Sequence, residues 1–449
     1  MRTLIRFILP LLPLVAAAQS SLFTLQRADK APVSTHAALS VTPTQPVGQL
    51  QVLSSAQLAA VDAYTDAAPT SVTQSVAALA AYLSGVGPDD HSRVRALYRW
   101  LARNIDYDVG GFRSGNFGNQ SADSVLRRRS AVCQGYAQLG ESIGRAMGLN
   151  IKVISGWSKG YGYTHGQRFS GPANHAWNSV QIDGQWRLMD PTWGAGYLDE
   201  QMQFVRRFEP HYFLTSPDAF VVDHLPQDPS WQLLARPITS EQYAKLAFVQ
   251  SAFWRLGLRL GDQPDVHISA QDRLSVSLGV TQPVRMSARL VDAATRQAIN
   301  GDYTLVQVSA TEARVDAAFP QSGDYILRLF AEVRDSEGPL EWVMDYRITA
   351  HRGEQDSAFP SAFDAFTARQ VKLLEPVTGI LKAGQIHRFR LRVAGAISVQ
   401  VITGGVWKKL VQSGEEWRGD VVTATGNSTV VAKFDTAAKF TSLLEYTAR

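Results

Sequence analysis

The spacing of apolar residues changes along the chain, and this change restricts the available folds more than any other feature. Before about residue 147, apolar residues recur every three or four positions, as at Val94, Leu97 and Leu101, which predicts amphipathic helices. After residue 262 they alternate with polar residues in short segments such as 325–330, which predicts strands. With 449 residues, 45% of them apolar, the chain has room for several cores. We predict an α+β domain followed by two β-sandwiches.

Turn residues and shifts in composition set the predicted domain boundaries. The helical half and the aromatic-rich segment behind it run over residues 55–237. Gly353, Pro360 and several polar residues collect between the two β-rich segments, which indicates a boundary there. We predict an α+β domain at 55–237, one β-sandwich at 262–352 and a second at 362–449.

The first residues have the layout of a secretory signal peptide. Arg2 and Arg6 flank the start of the apolar run 7–15, and three alanines at 16–18 supply small residues for cleavage. The run is far shorter than the roughly 20 residues that cross a membrane. We expect a signal peptide at 1–18, a flexible lead-in at 19–54, no membrane span, and export to the periplasm or the medium.

Composition excludes several classes of site. The net charge is only +4 and no basic cluster stands out, so we expect no nucleic-acid partner. The single cysteine, Cys133, excludes an internal disulfide and any cluster held by four thiolates. His211 and His224 lack metal-ligand spacing, so we expect neither a metal nor another cofactor. The sequence does not specify an oligomeric state.

Cys133 lies at a predicted helix start, with Ser130 as the predicted N-cap. Free backbone N–H groups and the positive end of the helix dipole stabilise a thiolate at such a position. A thiolate is the competent nucleophile. A lone cysteine is more often a buried, inert residue, and its position alone does not decide between the two interpretations.

A predicted β-hairpin supplies the partners of this cysteine. Asp183-Gly184 is a strong signal for a two-residue turn between strands at 174–182 and 185–191. In that register His175 and Asp190 are diagonal neighbours on one face, within reach of each other. Cys133 as nucleophile, His175 as base and Asp190 as orienter form the arrangement required for thiol-based acyl transfer.

Other parts of that site stay open in the sequence. The Cys133 N–H is one expected oxyanion donor, and Gln120, Tyr107 and Trp100 are alternatives for the second. His165 is a rival base without a predicted register to Asp190. The run 127–129 is a solvated charge run or a substrate clamp.

Three segments, SAVCQGYA at 130–137, NHAWN at 174–178 and DPTWG at 190–194, resemble the transglutaminase-like superfamily in residues and order. Segment 98–108 is similar to the lead-in helix of its kyphoscoliosis-peptidase-like branch. The resemblance covers about residues 55–237. It implies a papain-like or transglutaminase-like cysteine-enzyme core, followed by immunoglobulin-like β domains.

The predicted function is therefore cysteine-dependent acyl transfer on protein or peptide amides through a thioester. Water as acceptor gives a peptidase or amidase, whereas an amine gives a transglutaminase. The alternative is a non-catalytic binding or scaffold module. Because such a module is expected to lose one of the three residues, the presence of Cys133, His175 and Asp190 favours the enzyme.

Overall fold

A computed structural model describes residues 53–449 except 165, 200, 262, 264, 337, 355, 357 and 438. The predicted signal peptide, the lead-in up to residue 52 and the rival base His165 lie outside the described residues. Among those described, no helix is both long and apolar enough to cross a membrane.

The first domain begins with helices whose apolar faces meet in one core. Asp89 caps one of them by accepting a hydrogen bond from the Ser92 N–H at 2.8 Å. Gly148, at φ 83°, follows the end of another. The α-helices are α1 (Ser55–Asp66), α2 (Val76–Ser84), α3 (Asp90–Asn104), α4 (Val109–Ser114), α5 (Ala122–Arg128) and α6 (Cys133–Ala146).

The segment before α6 differs from the predicted helix start. Residues 106–123 contain strand β1 (Asp106–Tyr107), all of α4 and the start of α5. Ser130 is not a helix cap, since Ser130–Ala131 form β2, which pairs in parallel with β1. The backbone of Ser130 is therefore extended, and α6 begins three residues later, at Cys133.

A four-stranded sheet lies against α6. It consists of β3 (Asn150–Ser158), β4 (His175–Ile182), β5 (Gln185–Met189) and β8 (His224–Pro226), in the order β5-β4-β3-β8. Leu139 and Ile143 of α6 share a buried core with Ile151, Trp177 and Val180 of the sheet. This core fixes the start of α6 relative to the first residue of β4.

The hairpin prediction is confirmed. Ile182 pairs with Gln185 and Asn178 with Met189. Asp183 and Gly184 have φ values of 52° and 76°, as a type I′ turn requires. The second strand ends earlier than predicted, at Met189, because Asp190 caps a short helix, α7 (Pro191–Ala195).

The rest of the first domain is built from short elements. Strands β6 (Gly196–Leu198) and β7 (Phe204–Arg206) form a small hairpin. Helix α8 (Pro217–Phe220) precedes β8; farther along the chain, α9 (Ser240–Lys245) and α10 (Ser251–Arg255) lead into the β-rich half. Three 3₁₀ turns lie at Thr70–Gln74, Pro210–Tyr212 and Pro229–Gln232.

The C-terminal half consists of strands in two pairs of sheets, and α11 (Asp364–Ala368) follows the first strand of the second pair. One pair contains β9 (Phe248–Val249), β10 (Leu258–Leu260), β11 (His267–Ala270), β12 (Arg273–Val280), β13 (Val284–Asp292), β14 (Thr304–Val308), β15 (Glu312–Ala318), β16 (Gly323–Val333) and β17 (Glu341–Ala350). The other contains β18 (Ser361–Ala362), β19 (Lys372–Glu375), β20 (Ile380–Leu381), β21 (Ile386–Arg392), β22 (Ser398–Thr403), β23 (Val406–Lys409), β24 (Val411–Ser413), β25 (Glu416–Val422), β26 (Gly426–Lys433) and β27 (Thr441–Ala448).

The fold class follows the prediction: a mixed α/β domain precedes a β-rich region. The first pair of sheets takes in two strands that precede residue 262, because β9 pairs with β17 and β10 pairs with β12. The domain limits inferred from the sequence stay predictions.

Candidate active site

Cys133 is the first residue of α6, and its side chain is partly exposed. The preceding residue, Val132, has an extended backbone and caps the helix with no side-chain hydrogen bond. The first amides of a helix have no partner inside it, so the Cys133 N–H points outward at the positive end of the dipole. This placement stabilises negative charge on the sulfur or on an oxyanion beside it.

His175 is the first residue of β4 and lies beside the thiol. It is 7% exposed, and its Nε2 is 2.7 Å from Asp190 Oδ2. Cys133 is among the groups that raise the pKa of this imidazole, which places the thiol close to the ring. Because Nε2 is occupied by Asp190, the other ring nitrogen, Nδ1, is left for the thiol. The structure thus brings all three predicted site residues together.

Asp190 is both the carboxylate behind His175 and a helix cap. Its Oδ1 accepts hydrogen bonds from the N–H groups of Thr192 at 2.8 Å and Trp193 at 3.3 Å. Its Oδ2 faces His175. One carboxylate thus faces the imidazole with one oxygen and caps α7 with the other.

The electrostatics of this pair favour separated charges. Burial disfavours a charged imidazole, but Asp190 and Cys133 outweigh it and raise the pKa of His175 to about 10. Burial also disfavours an ionised Asp190, yet His175 and then His224 hold the pKa of that carboxyl well below its usual range. At neutral pH the site therefore contains an imidazolium beside a carboxylate.

A second histidine, His224, contacts the same carboxylate, and sequence reasoning does not find it. Its Nε2 is 3.1 Å from Asp190 Oδ2, and its Nδ1 is 2.5 Å from Asp223 Oδ1. The Tyr212 hydroxyl donates to the other oxygen of Asp223 at 3.0 Å. His224 reaches the site because β8 pairs with β3, a pairing between distant segments that no local sequence pattern predicts.

The approach of β8 depends on a glycine in β3. A Cβ atom at Gly156 would lie 2.2 Å from the carbonyl oxygen of Leu225, a distance that no side chain tolerates. Gly156 also pairs with His175 in β4. One residue without a side chain thus allows the strands that carry both histidines to meet.

His175, Asp190 and His224 also offer one donor atom each within 4.8 Å of one another, a spacing that suits a small metal site. The hydrogen bonds above already use these atoms, and all three side chains are buried. A cation there would have to displace ring protons. Hydrogen bonding thus accounts for the cluster.

Two of the three predicted oxyanion donors lie near the thiol. Gln120 is at the helix start, where its Oε1 accepts a hydrogen bond from the Val132 N–H at 3.3 Å. Tyr107 interacts electrostatically with Cys133, and burial raises the pKa of the Tyr107 hydroxyl. The hydroxyl therefore stays protonated and can donate a hydrogen bond. Trp100 is instead 1% exposed and stacks under Arg129 at 4.8 Å.

Aromatic side chains continue outward from Tyr107. Its ring centroid lies 5.8 Å from that of Phe112, which lies 6.5 Å from that of Tyr161. Tyr161 is 49% exposed. Trp177 is part of the core, and Trp193 packs beside the His175 ring at 5.4 Å. The thiol is thus bordered on one side by an exposed aromatic wall.

Comparison with protein families agrees with this geometry. Residues 77–191 match the transglutaminase-like superfamily, and residues 240–361 match the KY-like, immunoglobulin-like domain. The first match contains Cys133, His175 and Asp190. The chain therefore combines a transglutaminase-like domain with a KY-like, immunoglobulin-like domain.

Among individual proteins, kyphoscoliosis peptidase of Homo sapiens is 31% identical over 248 residues, which cover 54% of this chain and 36% of that protein. Hillarin of Drosophila melanogaster is 28% identical over 221 residues, or 45% of this chain and 26% of Hillarin. The chain thus spans about a third of the human relative's length.

A solved structure described as a TGase is 19% identical, with 36% of this chain and 37% of that chain covered and a TM-score of 0.21.

Proposed function

We propose that this chain is a cysteine-dependent acyl-transfer enzyme that acts on amides of proteins or peptides. The observation that carries the proposal is one continuous contact path: a partly exposed thiol at a helix start, His175 beside it, and Asp190 behind His175 at 2.7 Å. The human relative is named a peptidase, which is consistent with such chemistry.

The proposed reaction begins with the Cys133 thiolate attacking the carbonyl carbon of the amide. The carbonyl π electrons move to the oxygen, and the Cys133 N–H donates to this oxyanion together with Tyr107 or Gln120. His175 then gives its proton to the amide nitrogen as the carbon–nitrogen bond breaks. The amine leaves, and a thioester remains on Cys133.

The second half restores the thiol. His175, now neutral, takes a proton from a water molecule or a primary amine as that acceptor attacks the thioester carbon. The carbon–sulfur bond breaks and Cys133 leaves as a thiolate beside the newly protonated His175. Water releases a carboxylic acid, and an amine yields a new amide. Asp190 stabilises the imidazolium in both halves.

The aromatic wall supports a peptide substrate. Tyr161, at the outer end of this wall, is 49% exposed, and the wall leads inward through Phe112 to Tyr107, which interacts with Cys133. Large exposed rings near a reactive group mark a binding surface for apolar side chains. We propose that residues flanking the cleaved or modified amide lie there.

One assay tests the proposal and identifies the acceptor. The protein is incubated with N,N-dimethylated casein and a fluorescent primary amine, and mass spectrometry follows the products. We expect peptide cleavage, ammonia release or amine incorporation, together with an acyl adduct on Cys133 after acid quenching. Cys133→Ser is the matched control. If the wild-type protein gives no product and no adduct, the non-catalytic scaffold becomes the better explanation.

We further propose that the substrate lies outside the cytoplasm, because residues 1–18 have the layout of a signal peptide. N-terminal sequencing of protein from the native host should return Gln19. Recovery of Met1 would contradict this part of the proposal.

A further inference from the structure

His224 contacts the proposed site without reaching the thiol or any substrate position. It is fully buried, and both of its ring nitrogens face carboxylate oxygens, at 3.1 Å on Asp190 and 2.5 Å on Asp223. Neutral imidazole has one N–H and one lone pair. A lone pair directed at a carboxylate would be repulsive, so each of the two contacts needs a proton. Both carboxyl groups already accept other hydrogen bonds, and the arrangement that keeps both of them ionised places a proton on each ring nitrogen.

We propose that His224 is a positioning residue: an imidazolium, clamped between Asp190 and Asp223, that holds Asp190 in the orientation and charge state in which it serves His175. This inference rests on the proposed function. It extends the candidate site from three residues to a chain that runs from Cys133 through His175, Asp190 and His224 to Asp223.

The hydrogen bonds of Asp190 explain why a clamp is needed. Its Oδ2 accepts hydrogen bonds from His175 and His224, and its Oδ1 accepts hydrogen bonds from two backbone N–H groups. Four donors fix the plane of the carboxylate. Without His224, the only remaining side-chain partner of Oδ2 is His175, the residue that Asp190 orients. Any rotation of the carboxylate would then displace the His175 imidazole as well.

The charges of the cluster also require His224. Asp190 and Asp223 are two buried carboxylates, and unpaired buried charge is strongly unfavourable. An imidazolium between them compensates one of the two, and His175 compensates the other. The titratable groups around the His224 ring are Asp190, Asp223, His175, His211 and Tyr212, with Lys159 beyond Asp223.

His211 provides a matched control. It is a second buried histidine in the same region, and its ring stacks on Trp254 at 5.5 Å rather than on the carboxylates. Burial lowers its pKa to about 4, so it is neutral at neutral pH. His211→Gln therefore removes a buried imidazole without removing a charge.

The first measurement determines the protonation of His224 in the wild-type protein. Nitrogen NMR on ¹⁵N-histidine protein at pH 8, with His224→Gln to assign the signal, should show two ring N–H groups. A free histidine, with a pKa of about 6.5, is neutral at this pH. A single ring N–H on His224 would overturn the proposal, whether or not the protein is an enzyme.

The second measurement follows alkylation of Cys133 by iodoacetamide from pH 4 to 9. His224→Gln keeps a donor toward Asp190 but removes the positive charge. The acid limb of the profile, which is the rise of the alkylation rate with pH, should therefore move to higher pH by about one unit. His224→Leu removes both, and turnover should fall on the order of 10–100-fold, the range known for outer-shell partners of metal-binding histidines. His211→Gln should leave the limb in place.

A purely structural role predicts a different result: both His224 variants would melt earlier while the acid limb stayed at the wild-type pH. That result would overturn the inference and leave the proposed function intact. If instead the wild-type profile itself does not depend on His175, the proposed function fails first, and the NMR measurement still decides the charge of His224. Should His224→Leu fail to fold, Asp223→Asn weakens the same clamp from its far side and should reduce turnover.

Discussion

Replacing Asp190 by asparagine separates the orienting role of this carboxylate from its capping role. The amide keeps an oxygen for the N–H groups of Thr192 and Trp193, so the start of α7 should persist. Its nitrogen, however, would then face His175 Nε2 as a donor. The imidazole would have to turn its lone pair to the new amide group and its proton to the thiol, which is the wrong tautomer for a base.

The expected magnitude is that of removing a charged acceptor from a catalytic histidine. In serine-protease triads, the change from acid to amide lowers turnover about 10⁴-fold, which corresponds to about 5 kcal/mol of activation free energy. The hydrogen bond between His175 and Asp190, at 2.7 Å and buried, is of the same kind. Stability should fall by about 1–3 kcal/mol, since His224 is also deprived of a charged acceptor.

The assay compares kcat/KM for any substrate that the wild-type protein processes, with thermal melts of the same samples. Asp199→Asn is the matched control, because Asp199 caps an exposed turn through the N–H groups of Gln201 and Gln203 and lies outside the site. Turnover within about threefold of wild type, which is under 1 kcal/mol, with an unchanged melt, would refute the orienting role. Loss of the folded state would require the milder Asp190→Glu to be measured instead.

Three further outcomes are expected. Gly135→Ala should lower the activity and should lower the stability by about 1–3 kcal/mol, because its Cβ would lie 2.3 Å from Gln120 Oε1. The control Gly110→Ala, whose Cβ would have its nearest neighbour at 3.7 Å, should leave both unchanged. Equal melting temperatures for the two variants would contradict the packing around Gly135. The pKa of His175 is about 10 in the folded protein and about 6.5 in the unfolded chain, so its protonation stabilises the fold fully below pH 6.5 and this contribution is lost as the pH rises toward 10. The melting temperatures of wild type and His175→Ala should therefore converge between these pH values. A constant difference would contradict the raised pKa. Dialysis against EDTA should leave turnover unchanged, since hydrogen bonds already occupy the His175–Asp190–His224 cluster; a loss restored by one divalent metal would show a metal site instead.

The site could be predicted from the sequence as far as local signals reach. Asp183-Gly184 fixes the register of a two-residue hairpin, and that register alone brings His175 and Asp190 to one face. Helix periodicity locates the start of α6 to within a turn. The prediction of Ser130 as its cap fails because a two-residue parallel strand, β2, intervenes, and such pairing depends on β1, a segment well before it in the chain.

His224 is beyond the reach of sequence reasoning for a physical reason. It is 34 residues from Asp190 in the chain and lies in a three-residue strand. Its position depends on pairing with β3 and on the missing side chain of Gly156. Pairing between distant strands is a tertiary interaction, and neither periodicity nor turn chemistry encodes it.

The β-rich half follows the opposite pattern. Alternation predicts its strands well, because each sheet buries one face. Where the first pair of sheets begins is not visible in that pattern, since β9 has only two residues and is followed by the short helix α10. Its assignment requires the pairing of Phe248 with Asp345.

The charge state of Cys133 tests the central claim most directly. The rate of alkylation by iodoacetamide is measured from pH 4 to 9 for the wild-type protein and for His175→Ala. A thiolate held by the helix start and by an imidazolium predicts rapid modification at pH 6, where an ordinary thiol, with a pKa of about 8.5, is almost fully protonated, and a large loss of that rate in the variant. A wild-type rate that rises only above pH 8 and is unchanged by the substitution would contradict the account.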